Sequence, residues 1–398
     1  MDTVPACVNS LQNLEHIDVS NNVKKDPWKG IDLFAGIGGI RLGMQNAFGS
    51  DLKIVYSNEK KPKAIEVYKE NFGDDPTGDI TKIDPEQLPD FDILFGGFPC
   101  QPFSAAGKKK GFDDTRGTLF FHVANVLKAK KPDAFLLENV KHLVRHDKGK
   151  TFDVIKTTLE DLGYHVHHDV INAKDHGIPQ WRERTYIVGF KDDLDFSFPE
   201  PTGEETSLAD VLDKDIPKSF DMSERYYRSL QQRELRHKEK GNGFRYKFKT
   251  IDDVAETLTA GGASHETNLL ADGVRRCSID VKENCLENGT SISTVDHGTY
   301  KIRQLTPTEW KKLQGFPESF KFPVANTWQY KLLGNSVAIP VIEKIGKEMK
   351  RSLESKKLKF EQPLSLPKLR ELVINGNNLS SSSVVVSSLP SMVKIINE

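Results

Sequence analysis

The chain is predicted to fold as an α/β protein: a doubly wound, mostly parallel sheet joined to a smaller irregular module. Three features of its 398 residues predict this. From Gly30 to Phe190, short apolar runs alternate with helical periodicity, the pattern of strands covered on both faces by their connecting helices. The first run ends in a glycine-rich turn that opens a helix, at the strand edge where doubly wound sheets usually hold a ligand. Beyond Pro199 the alternation stops, and residues 201–300 are polar, irregular and rich in Gly, Ser and Thr.

Taken in order, Ile31-Asp32-Leu33-Phe34 reads as a buried strand and Lys53-Ile54-Val55-Tyr56-Ser57 as the next. Residues 62–72 read as a helix, with Ala64, Ile65, Val67, Tyr68 and Phe72 near helical spacing. Phe91-Asp92-Ile93-Leu94-Phe95 is a third strand and Ala134-Phe135-Leu136-Leu137 a fourth, with Leu119, Val123, Val126 and Leu127 marking a helix between them. Phe152, Ile155, Leu159 and Leu162 mark another helix, and Tyr186-Ile187-Val188-Gly189-Phe190 a later strand. Residues 218–249 hold ten Lys/Arg against four Asp/Glu, so the irregular module is basic. Strong signals return at Arg303-Gln304-Leu305-Thr306-Pro307 and continue to about Met349; no internal repeat is seen.

Hydrophobic residues make up 37% and charged residues 28%, and a chain of this length buries a core without staples. The net charge of −1 means that any nucleic-acid surface must come from local segregation of charge. No pair among Cys7, Cys100, Cys277 and Cys285 has zinc-knuckle spacing, so free thiols in a reducing compartment and no metal are expected. The first 25 residues are polar, and no window approaches ~18 uninterrupted apolar residues, so neither a signal segment nor a membrane span is expected.

The run Asp32-Leu33-Phe34-Ala35-Gly36-Ile37-Gly38-Gly39 lets the backbone turn sharply and approach a ligand. The dinucleotide fingerprint needs a third glycine where Arg41 stands, which argues against an NAD oxidoreductase. Asn58-Glu59 ends the second strand, where a carboxylate can accept from ribose hydroxyls. Gly78-Asp79-Ile80 follows, where Asp79 can accept from an adenine amine. Each acid alone is as readily a helix cap; together with the turn they describe a site for an adenosine lacking a pyrophosphate.

The third strand runs into Gly96-Gly97-Phe98-Pro99-Cys100-Gln101-Pro102-Phe103-Ser104. A core cysteine needs no turn this constrained, and the flanking prolines stiffen the segment that presents the sulfur. Residues 105–117, with Lys108-Lys109-Lys110 and Arg116, have little apolar anchoring and a charge that suits phosphates, although a solvated loop has the same composition. Glu138-Asn139-Val140 stands at the end of the fourth strand, beside the third if the two are neighbours. Gln180-Trp181-Arg182-Glu183-Arg184 leads into a later strand, and one of its arginines can clamp a carbonyl oxygen.

These segments, with Arg303 to Pro307, Leu313-Gln314-Gly315-Phe316-Pro317 and Gly334-Asn335-Ser336-Val337, closely resemble the cytosine-5 DNA methyltransferase family in its own order. The resemblance covers roughly residues 29–345 except the variable region between about Pro199 and Tyr300; Trp181 departs from it, where the family often carries a basic residue. It implies the Rossmann-like fold of S-adenosyl-methionine-dependent methyltransferases and transfer of a methyl group to carbon 5 of a cytosine rotated out of a duplex. By resemblance, Cys100 is the nucleophile, Glu138 holds a proton at ring nitrogen 3, and Arg184 binds the base carbonyl with Arg182 in support. Phe34, Gly36, Ile37, Gly38, Gly39, Glu59, Asp79, Ile80, Pro99, Leu119, Asn335 and Ser336 would surround the S-adenosyl-L-methionine. Gln101, Ser104, Lys108, Lys109, Arg116 and Arg303 are expected at DNA, with residues 101–118 as a closing lid.

The expected organisation is a polar arm at 1–28, the catalytic and cofactor-binding domain at 29–198 and a target-recognition domain at 199–325. A C-terminal helix at 326–355 returns to the catalytic domain, and a weakly ordered tail occupies 356–398. No chromatin-reading module is read ahead of the catalytic part, which favours the prokaryotic style; a monomeric, cytoplasmic, nucleoid-associated enzyme is expected. Such an enzyme protects host DNA beside a cognate restriction endonuclease. The rival readings are an RNA cytosine-5 methyltransferase and a non-catalytic DNA-binding partner. The second loses force because Cys100, Glu138 and Arg184 are all present.

Overall fold

The computed structural model describes residues 26–99, 119–241, 243, 246–261, 266–272 and 301–361. Cys100, Gln101, Ser104, Lys108, Lys109 and Arg116 lie outside them, as do most of the expected N-terminal arm and tail. Residues up to Lys350 belong to one compact unit, and a second unit begins at Arg351.

Six strands form the main sheet: β1 (Trp28–Leu33), β2 (Leu52–Asn58), β3 (Ile93–Gly97), β4 (Ala134–Val140), β5 (His165–Asn172) and β6 (Glu183–Phe190). Their order is β2-β1-β3-β4-β6-β5. The first four pair in parallel, because each strand returns through a helix: α1 (Gly39–Phe48), α2 (Pro62–Phe72) and α3 (Leu119–Lys130). β6 then inserts antiparallel between β4 and β5. The sheet is therefore mixed, with the parallel half carrying the glycine turn. α4 (Lys150–Asp161) and α3 cover one face. Their Phe120, Val123, Leu127, Ile155 and Leu159 pack with Ile31, Leu33, Leu94, Phe135 and Leu137 of the strands. The alternate residues of the strands face the other way, as the two-residue period of a strand requires.

Beyond β6 lie α5 (Glu224–Glu239) and a three-stranded sheet of β7 (Phe248–Lys249), β8 (Leu269–Asp272) and β9 (Lys301–Arg303). Then come α6 (Pro307–Leu313), α7 (Asn326–Asn335) and α8 (Ile339–Glu361). The single returning helix expected at 326–355 is two helices, broken at Ser336 just before the Ile339-Pro340 start of α8, where proline suits a helix's first turn. A second core joins the two halves of the unit. In it Ile37, Ala64 and Val67 pack with Leu208, Val211, Ala255, Leu258 and Leu270, and with Trp310, Leu313 and Leu333. Leu42 and Phe72 pack at its margin, and Gly43 of α1 lies so close to Ile342 of α8 that a side chain would not fit.

Arg303 corrects an expectation. It is 1% exposed, and its guanidinium makes two 2.8 Å bonds to the Glu309 carboxylate. Glu309 also closes a capping box on α6, its carboxylate accepting from Thr306 N at 2.7 Å while the Thr306 hydroxyl accepts from Glu309 N at 3.1 Å. Arg303 thus neutralises a buried carboxylate that ties β9 to α6, and it offers no surface to a phosphate. Among the described residues no helix is long and apolar enough to cross a membrane, and no group of acidic, His and Cys side chains has the makings of a metal site.

Candidate active site

The glycine turn leaves β1 with Phe34 at φ 54°, Gly36 at φ 57° and Gly38 at φ 84°, three left-handed residues within five. Three of its amide groups are bonded within the protein: Ala35 N to Asn58 O at 2.9 Å, Gly36 N to Glu59 Oε2 at 2.8 Å and Gly38 N to Ala35 O at 2.8 Å. A turn that cradles a pyrophosphate points such N–H groups at the ligand; these three are already occupied. Glu59 Oε1 further accepts from Lys60 N at 2.9 Å and Lys61 N at 2.8 Å. A carboxylate has about four acceptor positions, so Glu59 keeps one for a ligand hydroxyl.

Beneath the turn lies a buried polar network. Tyr68 of α2 bonds Ser57 Oγ of β2 at 2.7 Å, accepts from Arg41 Nη1 of α1 at 2.9 Å and donates to Asp32 Oδ2 of β1 at 3.4 Å. Arg41 also pairs with Asp74 at 2.5 Å. One hydroxyl thus ties together the four elements that shape the turn. Asp32 is 1% exposed, its Oδ1 has no partner, and burial pushes its carboxyl up to about 8, against the pull of Arg41 and Tyr68. The unfolded chain releases this proton near pH ~3.9, whereas the folded protein keeps it until about 8. Stability from this group is therefore full at low pH and is lost as pH rises through the weakly acidic and neutral range. Asp32→Asn, which cannot ionise, is expected to flatten the fall in melting temperature between pH 6 and 9. An unchanged slope in a thermal melt series would refute it.

A cavity of about 290 Å³ opens between the turn and the ends of β3 and β4. Phe34, Gly36 and Glu59 line it, with Asn58, Gly78 and Ile80. Gly97, Phe98, Pro99 and Leu119 line it too, as do Glu138, Asn139, Val140, Arg182 and Arg184. Gly334 and Asn335 reach in from the C-terminus of α7. A contiguous cavity of about 70 Å³ adds Ile37, Gly39 and Ser336.

Two expected cofactor residues stand apart. Gly38 lines neither cavity; it lacks a side chain because Phe72 packs against it. Asp79 is at the rim between Gly78 and Ile80, with Oδ1 accepting from Thr81 N and Oγ1 at 3.1 and 2.9 Å and Oδ2 3.9 Å from Lys60 Nζ. Trp181 points outward, half exposed, with Lys174 Nζ 4.7 Å from its ring.

β3 and β4 are neighbours, with Gly97 opposite Glu138. Across β4, Arg184 of β6 stands opposite Val140, which brings its Nε within 3.2 Å of Glu138 Oε1. Both side chains are 13% exposed, and both residues line the cavity. Burial raises the Glu138 carboxyl above its ordinary value, while Arg184 and then Arg182 oppose the rise. Asn139, which carried no assigned role in the sequence reading, donates to Phe98 O at 2.9 Å and holds the exit of β3 against β4. Sequence reasoning also missed Asn58, Lys60, Lys61 and Gly334. Asn58 and Gly334 sat in quoted motifs, but nothing in a single sequence separates a lining residue from its neighbours.

A doubly wound sheet whose glycine turn shares a cavity with a buried acid and arginine fits a group-transfer enzyme of the methyltransferase class. The chain belongs to the C-5 cytosine-specific DNA methylase family, whose model matches residues 28–351. It is a DNA cytosine-5 methyltransferase. It is 43% identical to Type II methyltransferase M1.ScrFI of Lactococcus lactis subsp. cremoris, over 88% of this chain and 85% of that protein. It is 44% identical to Type II methyltransferase M.HpaII of Haemophilus parainfluenzae, over 84% and 92%. Among solved structures, DNMT2 of Spodoptera frugiperda shares the fold at TM-score 0.64 and 22% identity, over 81% of this chain and 99% of that one. S. pombe Dnmt2 does so at 0.63 and 21%, over 83% and 99%.

Proposed function

We propose that this chain moves a methyl group from S-adenosyl-methionine to carbon 5 of a cytosine extruded from double-stranded DNA, within one short sequence. The observation that carries this reading is the meeting of Glu138 and Arg184 in the cavity that the glycine turn and Glu59 also line. The cavity suits an adenosine donor without a pyrophosphate. Three of the turn's amides are already bonded, Gly36 leaves its wall open, Phe34 and Ile80 offer apolar surface, and Glu59 keeps an acceptor for a ribose hydroxyl. When bound, this donor supplies an electrophilic methyl on a sulfonium.

The chain's own residues do the rest. Cys100 follows Pro99 of the cavity wall in sequence. Its thiolate adds to carbon 6 of the pyrimidine, and the electron pair so placed at carbon 5 takes the methyl. Glu138 holds a proton at ring nitrogen 3, draining charge from the ring as the sulfur adds. Arg184 donates to the base carbonyl, and Arg182 supports it. A base then removes the carbon 5 proton, the double bond re-forms and the thiolate leaves. Gln101, Ser104, Lys108, Lys109 and Arg116 meet the DNA backbone around the extruded base, and the module at 199–325 reads the flanking sequence.

The relatives named as Type II methyltransferases support a role beside a restriction endonuclease of the same specificity. The proposal places the enzyme in the cytoplasm, as a monomer at the host DNA. Bisulfite sequencing tests the whole reading. Expression in a host without cytosine methylation should leave conversion-resistant cytosines at one short sequence throughout the DNA. Unmodified DNA, with new methylcytosine in RNA instead, would overturn it.

A further inference from the structure

Arg182 lines the cavity, yet both terminal nitrogens of its guanidinium donate to backbone carbonyls. The residue is 2% exposed. Nη1 donates to Leu258 O at 2.8 Å, and Nη2 donates to Gly334 O at 3.3 Å and to Ser336 O. Two separate segments thus meet the terminal nitrogens of this buried cation, while its Nε has no hydrogen-bond partner. Leu258 lies within the region expected to read the target, whereas Gly334 and Ser336 flank Asn335 at the donor end of the site.

Two further contacts hold the recognition segment, one to α6 and one to the donor-pocket segment. Gln180, fully buried, accepts from Leu258 N at 3.0 Å and donates to Leu313 O at 2.7 Å. Gly334 lies against the backbone of Thr259 and Ala260, leaving no room for a side chain. The stretch 257–260 therefore cannot shift relative to 334–336 without breaking a charged hydrogen bond in a dry interior.

We propose that Arg182 is the positioning residue through which the recognition segment 257–260 and the donor-pocket segment 334–336 sense each other's occupancy. Donor binding that settles Asn335 settles Leu258 through the guanidinium, and DNA engagement of the recognition segment does the reverse. The inference rests on the proposed function for the identities of both ligands. By linkage the effect is reciprocal: the factor by which DNA tightens the donor equals the factor by which the donor tightens DNA. An arginine that only supports the fold would change either affinity without changing that factor.

The test uses the full chain, S-adenosyl-homocysteine as the donor-site probe and plasmid DNA from a host lacking cytosine methylation. Calorimetry measures the probe's dissociation constant with and without saturating DNA, and the reciprocal titration checks the factor. The wild-type factor is expected to be about fivefold or more. Arg182→Lys keeps a cation but cannot span both segments, and Gly334→Ala wedges them apart; either is expected to bring the factor close to one. Thermal melts identify which variants are folded, and one folded variant decides. A wild-type factor of one, or a folded variant that keeps the wild-type factor, overturns the inference while leaving the proposed reaction standing. A wild-type chain that binds no S-adenosyl-homocysteine overturns the reading of the cavity and this inference with it.

Discussion

Cys100→Ser is expected to abolish methyl transfer, with a loss on the order of 10⁴-fold or more, while DNA binding stays largely intact. The reason is electronic. A thiol near pKa ~8.5 is readily lowered or deprotonated as attack proceeds, and its thiolate is strongly nucleophilic. A hydroxyl in the same place stays protonated and cannot load carbon 5 with charge. Serine is slightly smaller than cysteine and nearly isosteric, so the extruded base should still be accommodated. Labelled-donor assays read the chemistry, and gel-shift titrations with the same DNA read the binding. A serine variant within tenfold of wild type would end the covalent mechanism. Coincident loss of DNA binding would instead assign Cys100 to structure.

Strands β1, β3 and β4 could be read from the sequence because they are largely buried on both faces and each carries a short apolar core, broken in β1 by Asp32. β5 could not. His165–Asn172 is the edge strand of the sheet, only Ile171 in it is buried, and its histidines and aspartate give no period. α5 was hidden for a related reason: Tyr227 and Leu230 are its buried residues in sixteen, so its basic surface dominated the reading. The local chemistry of the site followed from residue order, since turns at the carboxyl ends of neighbouring parallel strands must meet. The partners of buried charges did not. The Arg303–Glu309 pair and the carbonyls around Arg182 depend on segments brought together only by folding, and a single sequence carries no mark of them. Thr306 and Glu309, at capping-box spacing, were the one available hint that Arg303 faces inward.

Glu138→Gln is expected to lower the rate of methyl transfer by about 10²- to 10⁴-fold, the range for a lost proton donor, without weakening the uptake of S-adenosyl-homocysteine. Glutamine keeps the shape and can still donate a hydrogen bond, but it has no proton to hold at ring nitrogen 3 as the sulfur adds. The pH profile separates this role from simple packing. Burial raises the Glu138 carboxyl, so the folded protein retains its proton above the ordinary value of 4.5, and the competent form is lost as pH climbs through the raised value. Thiol ionisation at Cys100 works in the opposite sense, so single-turnover rates of the wild type should rise and then fall with pH. The glutamine variant should keep the rise and lose the fall. Arg184 sharpens the argument, because at 3.2 Å it forms an ion pair with the carboxylate, and a protonated Glu138 loosens that pair and frees the guanidinium for the base carbonyl. A variant that retains the falling limb, or works within fivefold of wild type, would place the essential proton elsewhere and reduce Glu138 to a partner of Arg184.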